Sequence, residues 1–283
     1  MEVKDLGFIF KKLRKTAGLS QIEMAKILQR DQATISRLEK GTQSLSVESV
    51  FVLSKFFEIN YEDLLSGHVN YWQIAKKFDV PLKINPKYLD NNNSLVRELV
   101  PLMRLIIRKK KPEGLMSFLN TFGLDDLIYM GPSEKISYHC YFDLLQGALE
   151  AKIINKDDIP ELIATTQSSE YHGMFYNVYE TQSSPIEIIK AYSYNSSQYE
   201  GAFEHNVIDF SDRAVTIGLN VKDFARDIDF SNSGMGSFIV DYKQAFFSAL
   251  PQTFGFEGLI AKTPTNKKKN FKEEVSFKLI QSA

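Results

Sequence analysis

Leu19-Ser20-Gln21-Ile22-Glu23-Met24-Ala25-Lys26-Ile27-Leu28, followed by Thr34-Ile35-Ser36-Arg37-Leu38-Glu39-Lys40-Gly41, lays out two short helices about a tight turn. Ser20 and Glu23 stand at capping-box spacing, so a helix starts there with its first amides satisfied. Gly18 and Gly41 sit where a left-handed residue closes a helix. Ala25 is small where the two helices must approach closely, and Ile35 and Leu38, three apart, give the second helix a buried edge. Helices joined in this way present a helix end to the major groove of DNA.

On either side the same grammar continues. A helix is expected from about Leu6 to Ala17, with Ile9, Phe10, Leu13 and Ala17 on one face. Ser46 caps a further helix through Val47, Val50 and Leu53, and a short one, about Tyr61 to Leu65, precedes Ser66-Gly67. Residues Leu6 to Leu65 resemble the helix-turn-helix domain of the xenobiotic-response-element and lambda-type phage repressor family. The resemblance rests on Leu19-Ser20-Gln21, Ala25, Ile35-Ser36-Arg37, Glu39-Lys40-Gly41, Leu53-Ser54-Lys55-Phe56-Phe57, Ile59 and Glu62-Asp63-Leu64-Leu65. Two positions depart from the family: Gln29 stands where Gly is usual at the turn, and Arg30 where an aliphatic residue is usual. Gln takes a left-handed conformation only at some cost, and Arg30 must extend its head to solvent.

With Asp31 as cap and Ile35 and Leu38 inward, the outward positions of the second helix are Gln32, Ala33, Ser36 and Arg37. The resemblance makes these the groove-facing positions. Gln32 suits adenine, Arg37 guanine or a phosphate, and Ala33 a thymine methyl. It also places Gln21 on a phosphate, where side-chain amide and helix dipole act together, and Lys40 on a second. Arg14 and Glu39 match an ion pair joining the first and third helices of that family.

The chain has 283 residues, 43% of them apolar, with 21 Phe and 13 Tyr, enough for a large core beyond the first domain. Cys140 is the single cysteine, which excludes an internal disulfide and a cysteine-based zinc finger. Glu2, Lys4 and Asp5 interrupt any signal peptide, and Arg104 breaks the most apolar run, Leu99 to Ile107. A soluble, cytoplasmic protein with no membrane partner is expected. The net charge of −1 is uninformative, but residues 1–40 carry nine Lys/Arg against five Asp/Glu, the local excess that phosphates need.

The expected fold is multidomain. An all-α, five-helix, lambda-repressor-like DNA-binding domain over 1–66 leads through a helical connector over 67–132 to a larger α+β domain with an antiparallel sheet over 133–283. In the connector, His68 to Val80 reads as a helix, as does Leu95 to Lys111, with a kink at Pro101 and a stop at Pro112. Its basic end, Arg108 to Lys111, suits a helix C-terminus. Beyond it come a helix over Ser133 to Ile154, another from Asp157 or Asp158 through Leu162, and strands over Ile186 to Tyr194, Ala214 to Val221, Phe256 to Lys262 and Val275 to Ile280. A helix over Phe238 to Leu250 precedes the third strand, and Thr263 to Asn270 reads as an exposed hairpin loop. The closing order of helix and strands (Tyr242 to Phe247, Gly258, Phe277 to Ile280) faintly resembles the end of sensory domains of the haem–nitric-oxide-binding-like and vinyl-reductase-like group, and no ligand is carried over from it.

No catalytic constellation follows residue 66. His68, His139, His172 and His205 lack metal-ligand spacing, and His139-Cys140 on one helix point about 100° apart. Gly234-Met235-Gly236 reads as a turn, and Asp223, Asp227 and Asp229 as a solvated face. The aromatics Phe175, Tyr176, Tyr179, Tyr192, Tyr194 and Tyr199 suit a core better than a ligand pocket. The expectation is a non-enzymatic transcriptional regulator bound to double-stranded operator DNA as a homodimer, with a ligand-sensing or dimerisation domain over 133–283 and with Tyr71 and Trp72 among the contact candidates. A small molecule or a protein would be its effector, and no cofactor is indicated. The alternative is an antitoxin-like or scaffold protein whose C-terminal domain binds a partner protein.

Overall fold

The computed structural model describes residues 3–66, 69, 71–81, 83–89, 93–196, 200–262 and 275–281. The chain divides into two compact units, Met1–Lys83 with Asp126–Gly131, and Ile84–Asp125 with Pro132–Ala283.

The first unit carries α1 (Val3–Thr16), α2 (Gln21–Ile27), α3 (Gln32–Glu39), α4 (Val47–Phe57), α5 (Tyr61–Ser66) and α6 (Tyr71–Lys77). The capping box forms: the Ser20 amide donates to Glu23 Oε2 at 2.7 Å and the Glu23 amide to Ser20 Oγ at 3.2 Å. Asp31 caps α3 by accepting from the Thr34 amide at 2.7 Å, and Ser46 caps α4. Among the described residues, five helices of this unit close in the same way: after α1, α2, α3, α4 and α6, residues Gly18, Gln29, Gly41, Glu58 and Asp79 take φ of 68°, 52°, 66°, 57° and 51°. After α2, Gln29 N–H then reaches the Lys26 carbonyl at 3.2 Å and Arg30 N–H the Ala25 carbonyl at 2.9 Å. Gln29 therefore adopts the left-handed conformation that Gly would take without strain, and two backbone hydrogen bonds hold it there. Phe10, Leu13, Met24, Ile35 and Leu53 form the core of this unit, which also takes in Tyr71 and Ile74 of α6. Tyr71 is thus buried rather than available for subunit contact, and the side chain of Trp72 lies outside the described residues.

The second unit holds α7 (Val100–Asn120), α8 (Tyr138–Glu150), α9 (Ile159–Thr166), α10 (Ser169–His172), α11 (Tyr176–Glu180), α12 (Pro185–Ser196) and α13 (Met235–Ala249). Strands β1 (Ser94–Leu95) and β2 (Lys135–Ile136) make a short pair. A four-stranded antiparallel sheet, in the order β3-β4-β6-β5, is built from β3 (Phe203–Ser211), β4 (Ala214–Val221), β5 (Leu259–Lys262) and β6 (Val275–Gln281). One face of it buries Val215, Ile217, Leu219, Val275, Phe277 and Leu279, with α12 packed against β3 and α13 against β5. The stretch 67–132, expected as a connector, contributes to both units: α6 and residues 126–131 to the first, α7 to the second.

Several expectations for the second unit are corrected. Residues 186–194 form helix rather than strand: Ile186, Ile189 and Tyr192 are buried at helical spacing, and Ser184 Oγ accepts from the Glu187 amide at the N-terminus. Pro101 does not kink α7; it lies in the first turn, where no amide is missed. The break falls at Lys111 (φ 61°, ψ 172°), because a residue preceding proline is barred from the helical region, and helix resumes after it. β3 was not anticipated. The expected loop over 263–270, Tyr199 and His68 lie outside the described residues.

Gly7 of α1 marks how closely α1 and α3 approach. A Cβ there would stand 2.4 Å from the Leu38 carbonyl oxygen and 3.1 Å from the Gly41 amide nitrogen, both backbone atoms. Gly7→Ala gains up to ~1 kcal/mol of helix propensity but forces the helices apart. A net loss of roughly 1–2 kcal/mol is expected from overpacking. Urea denaturation followed by circular dichroism measures it; a stabilised variant would show that the two helices do not pack this closely.

Candidate nucleic-acid interface

The face of α3 turned from the core is set by Thr34, Ile35 and Leu38, all buried, which leave Gln32, Ala33 and Arg37 exposed and Ser36 half-buried. Lys40, the C-cap, is exposed, and Gln21 at the start of α2 is half-buried. These six side chains come from one capped helix and the first turn of the helix before it.

A chain of hydrogen bonds fixes that face. Arg14 of α1 grips Glu39 of α3 with Nε to Oε1 at 2.5 Å and Nη2 to Oε2 at 3.1 Å, while its Nη1 donates to the Leu19 carbonyl at 2.6 Å. The side chains are only 11% and 4% exposed, so this pair is largely desolvated. Gln21 Nε2 donates to the same Glu39 Oε2 at 2.9 Å, and Gln32 Nε2 donates to Gln21 Oε1 at 3.1 Å. Gln32 keeps its carbonyl oxygen and second N–H free of partners among the described residues, the acceptor and donor that adenine N6 and N7 require. Burial pushes the Glu39 carboxyl up, but the hydrogen bonds from Arg14 and Gln21 and the charges of Arg14 and Lys11 outweigh it, and its pKa is lowered.

Arg37 is held along the helix: Nε donates to Gln43 Oε1 at 3.1 Å and Nη2 to Thr34 Oγ1 at 2.9 Å. Gln43, in the exposed loop after α3, was missed in the sequence because a lone Gln in a polar loop carries no motif. Asp31 is committed to the cap, and the Thr34 amide holds its carboxyl below the ordinary range. Arg30 extends into solvent, with Nη2 3.8 Å from Glu48 Oε2.

In the second unit the sequence missed a buried charged cluster. Glu200 accepts from Tyr192 Oη at 2.6 Å and from Lys243 Nζ, and its Oε2 lies 3.5 Å from His205 Nε2. His205 Nδ1 and Ser196 Oγ are 2.9 Å apart. Glu98 accepts from the Gly201 amide at 3.0 Å and faces the same small cavity, of about 20 Å3, as Glu200, Lys243, Tyr141 and Tyr242. Burial and the neighbouring Glu200 charge push Glu98 up to about 7, while burial pulls His205 down to about 4. The expected aromatic set is core in part: Tyr179 and Tyr192 are fully buried around His172, whereas Tyr194 is exposed. Cys140 is buried, and His139 turns instead to Asp227 at 3.5 Å. Among the described residues no three His, Cys, Asp or Glu side chains could hold a metal ion together, and no helix is long and apolar enough to cross a membrane.

Residues 10–64 match the sequence model of the helix-turn-helix family. Antitoxin PezA of Streptococcus pneumoniae is 33% identical over 79 residues, 28% of this chain and 49% of that protein. The chain therefore spans about half the length of the curated relative it matches. Among solved structures, the Fe(II) unliganded H-NOX protein from K. algicida gives a TM-score of 0.46 at 12% identity over 67% of this chain and 97% of that one, and a point mutant of that protein gives the same values. The N-terminal domain is a helix-turn-helix of the Cro/C1, lambda-repressor-like type.

The ion pair makes a pH prediction. A folded-state pKa below the ordinary 4.5 means that Glu39 stabilises the fold fully above that value and loses its contribution as pH falls through the lowered one. Glu39→Gln leaves the Arg14 guanidinium without its anion and is expected to cost about 3 kcal/mol at neutral pH. The gap between variant and parent should narrow as pH falls below 4.5. Denaturation at pH 7 and at pH 3 reads both; a gap that is constant with pH would mean that the carboxylate charge is not what α3 depends on.

Proposed function

We propose that this protein is a sequence-specific, DNA-binding transcriptional regulator that lays α3 in the major groove and binds a near-palindromic operator as a homodimer. The observation that carries the reading is the outward row of exposed Gln32, Ala33 and Arg37 with half-buried Ser36, on a helix whose opposite edge is locked into the core. In this reading Gln32 and Arg37 contact base edges, Ala33 meets a thymine methyl, and Gln21 and Lys40 hold phosphates. One such helix covers about one half-site, so useful specificity calls for two copies. Residues 133–283 serve as a sensory or effector-binding module, a role supported by their size and by the buried, charged Glu200, His205 and Lys243 within their interior. Ligand then changes dimer geometry, and DNA affinity follows by linkage.

Similarity to antitoxin PezA over 79 residues favours a second reading, an antitoxin-like or scaffold protein whose C-terminal domain binds a partner protein. Selection of bound fragments from random-sequence DNA with the full chain tests the first. Enrichment of two half-sites about one helical turn apart is expected; the absence of any enriched sequence would overturn it.

The reading residues separate by role. Arg37→Ala should relax preference at particular bases, costing roughly 1–3 kcal/mol there. Lys40→Ala should weaken binding to every sequence alike and reduce the slope of log affinity against log salt by about one. Anisotropy titrations across matched and mismatched operators distinguish the two; uniform loss for Arg37→Ala would move Arg37 to the phosphate class.

A further inference from the structure

On another side of α1 from the one that grips Glu39, the first unit opens into a cavity of about 430 Å3, within the size range of ligand sites. Its apolar lining is Phe8, Val80, Ile128 and Tyr129, and Lys11, Lys12 and Lys15 border it. Phe8 is 66% and Ile128 37% exposed, so hydrocarbon surface faces water beside three ammonium groups.

Lys12 is the unusual member. Its Nζ lies 4.0 Å from the Tyr71 ring centroid and 4.8 Å from that of Tyr129, a cation held against two aromatic faces. Burial lowers its pKa, because water solvates this charge poorly. Among the described residues no carboxylate ion-pairs with Lys11, Lys12 or Lys15. Asp126, the one acid in the lining among the described residues, already accepts from the Lys83 amide at 2.7 Å. The charge pattern decides among occupants. A second copy docking the same face would bring two sets of lysines together, and a neutral apolar ligand would leave Lys12 unsolvated. An anion with a hydrocarbon body satisfies both halves of the site.

We propose that this cavity binds an amphipathic organic anion, a carboxylate on an aliphatic or aromatic body, with the carboxylate at Lys12 and the body on Phe8, Val80, Ile128 and Tyr129. The inference goes beyond the DNA-binding reading and does not need it. Since α1 supplies both Lys12 to the cavity and Arg14 to the Glu39 pair, an occupant would sit on the helix from which α3 is held.

Decanoate is a suitable probe, titrated into the full chain by calorimetry below its micellar concentration, with decanol and decyltrimethylammonium as neutral and cationic counterparts. Saturable one-to-one binding of decanoate is expected, at least tenfold tighter than decanol, with no binding of the cation. Lys12→Gln should weaken decanoate tenfold or more and leave decanol nearly unchanged. Lys11→Gln with Lys15→Gln, two substitutions at exposed positions, should weaken decanoate several-fold. Absence of binding, equal binding of the three probes, many weak sites per chain, or indifference to Lys12→Gln would each overturn the proposal. The titration contains no DNA, so its failure leaves the DNA-binding reading standing, and failure of that reading leaves this one intact.

Discussion

The Glu39 carboxylate is the point from which the arrangement of the first three helices is held. Its two oxygens accept from Arg14 of α1 and Gln21 of α2, and it is itself part of α3, so one side chain joins three elements. A carboxylate exposed by only 4% must have its charge met, and breaking such a pair costs far more than the pair contributes over an apolar replacement. That asymmetry gives specificity: any sliding or rotation of α3 that took Glu39 from Arg14 would strand two buried charges. The outward face of α3 is thereby fixed, and Gln32 is tied to the same network through Gln21.

Backbone closure does the rest. Gly18, Gln29 and Gly41 each turn the chain through a left-handed residue so that the last carbonyls of one helix are satisfied before the next begins. Gln29 shows that a Cβ is tolerated where only the modest strain of a left-handed backbone opposes it. Gly7 is another matter, since backbone of α3 occupies the space a Cβ would need.

The first unit was legible because its signals are local. Caps three residues from their partners, glycines at helix ends and apolar residues at helical spacing act within one or two turns, and Ser20, Glu23, Asp31 and Ser46 all cap as their spacing implied. In the second unit, the strands over 214–221 and 275–281 alternate cleanly and read correctly, whereas 186–194 did not. Three isoleucines in five residues suggest a strand by composition, but Ser184 and Pro185 start a helix, and the apolar face recurs at three and four. β3 went unread because His205 takes an inward position beside Phe203, and a buried histidine looks polar in a sequence. The charged cluster was invisible for a related reason: Glu98, Glu200 and Lys243 are about a hundred and then 43 residues apart, so only the folded chain brings them together. The lysine-lined cavity likewise needs residues 126–131, which reach the first unit after a long excursion of the chain.

Contact between α3 and base edges in the major groove is the central claim, and methylation interference on a selected operator reads it directly. Guanine N7 lies in the major groove and adenine N3 in the minor groove, so methylation at each blocks a different approach. Interference is predicted at guanine N7 in two clusters about one helical turn apart, with the signal at one guanine per half-site lost for Arg37→Ala. Interference confined to adenine N3, or a guanine pattern unchanged by substitutions at both Gln32 and Arg37, would contradict it.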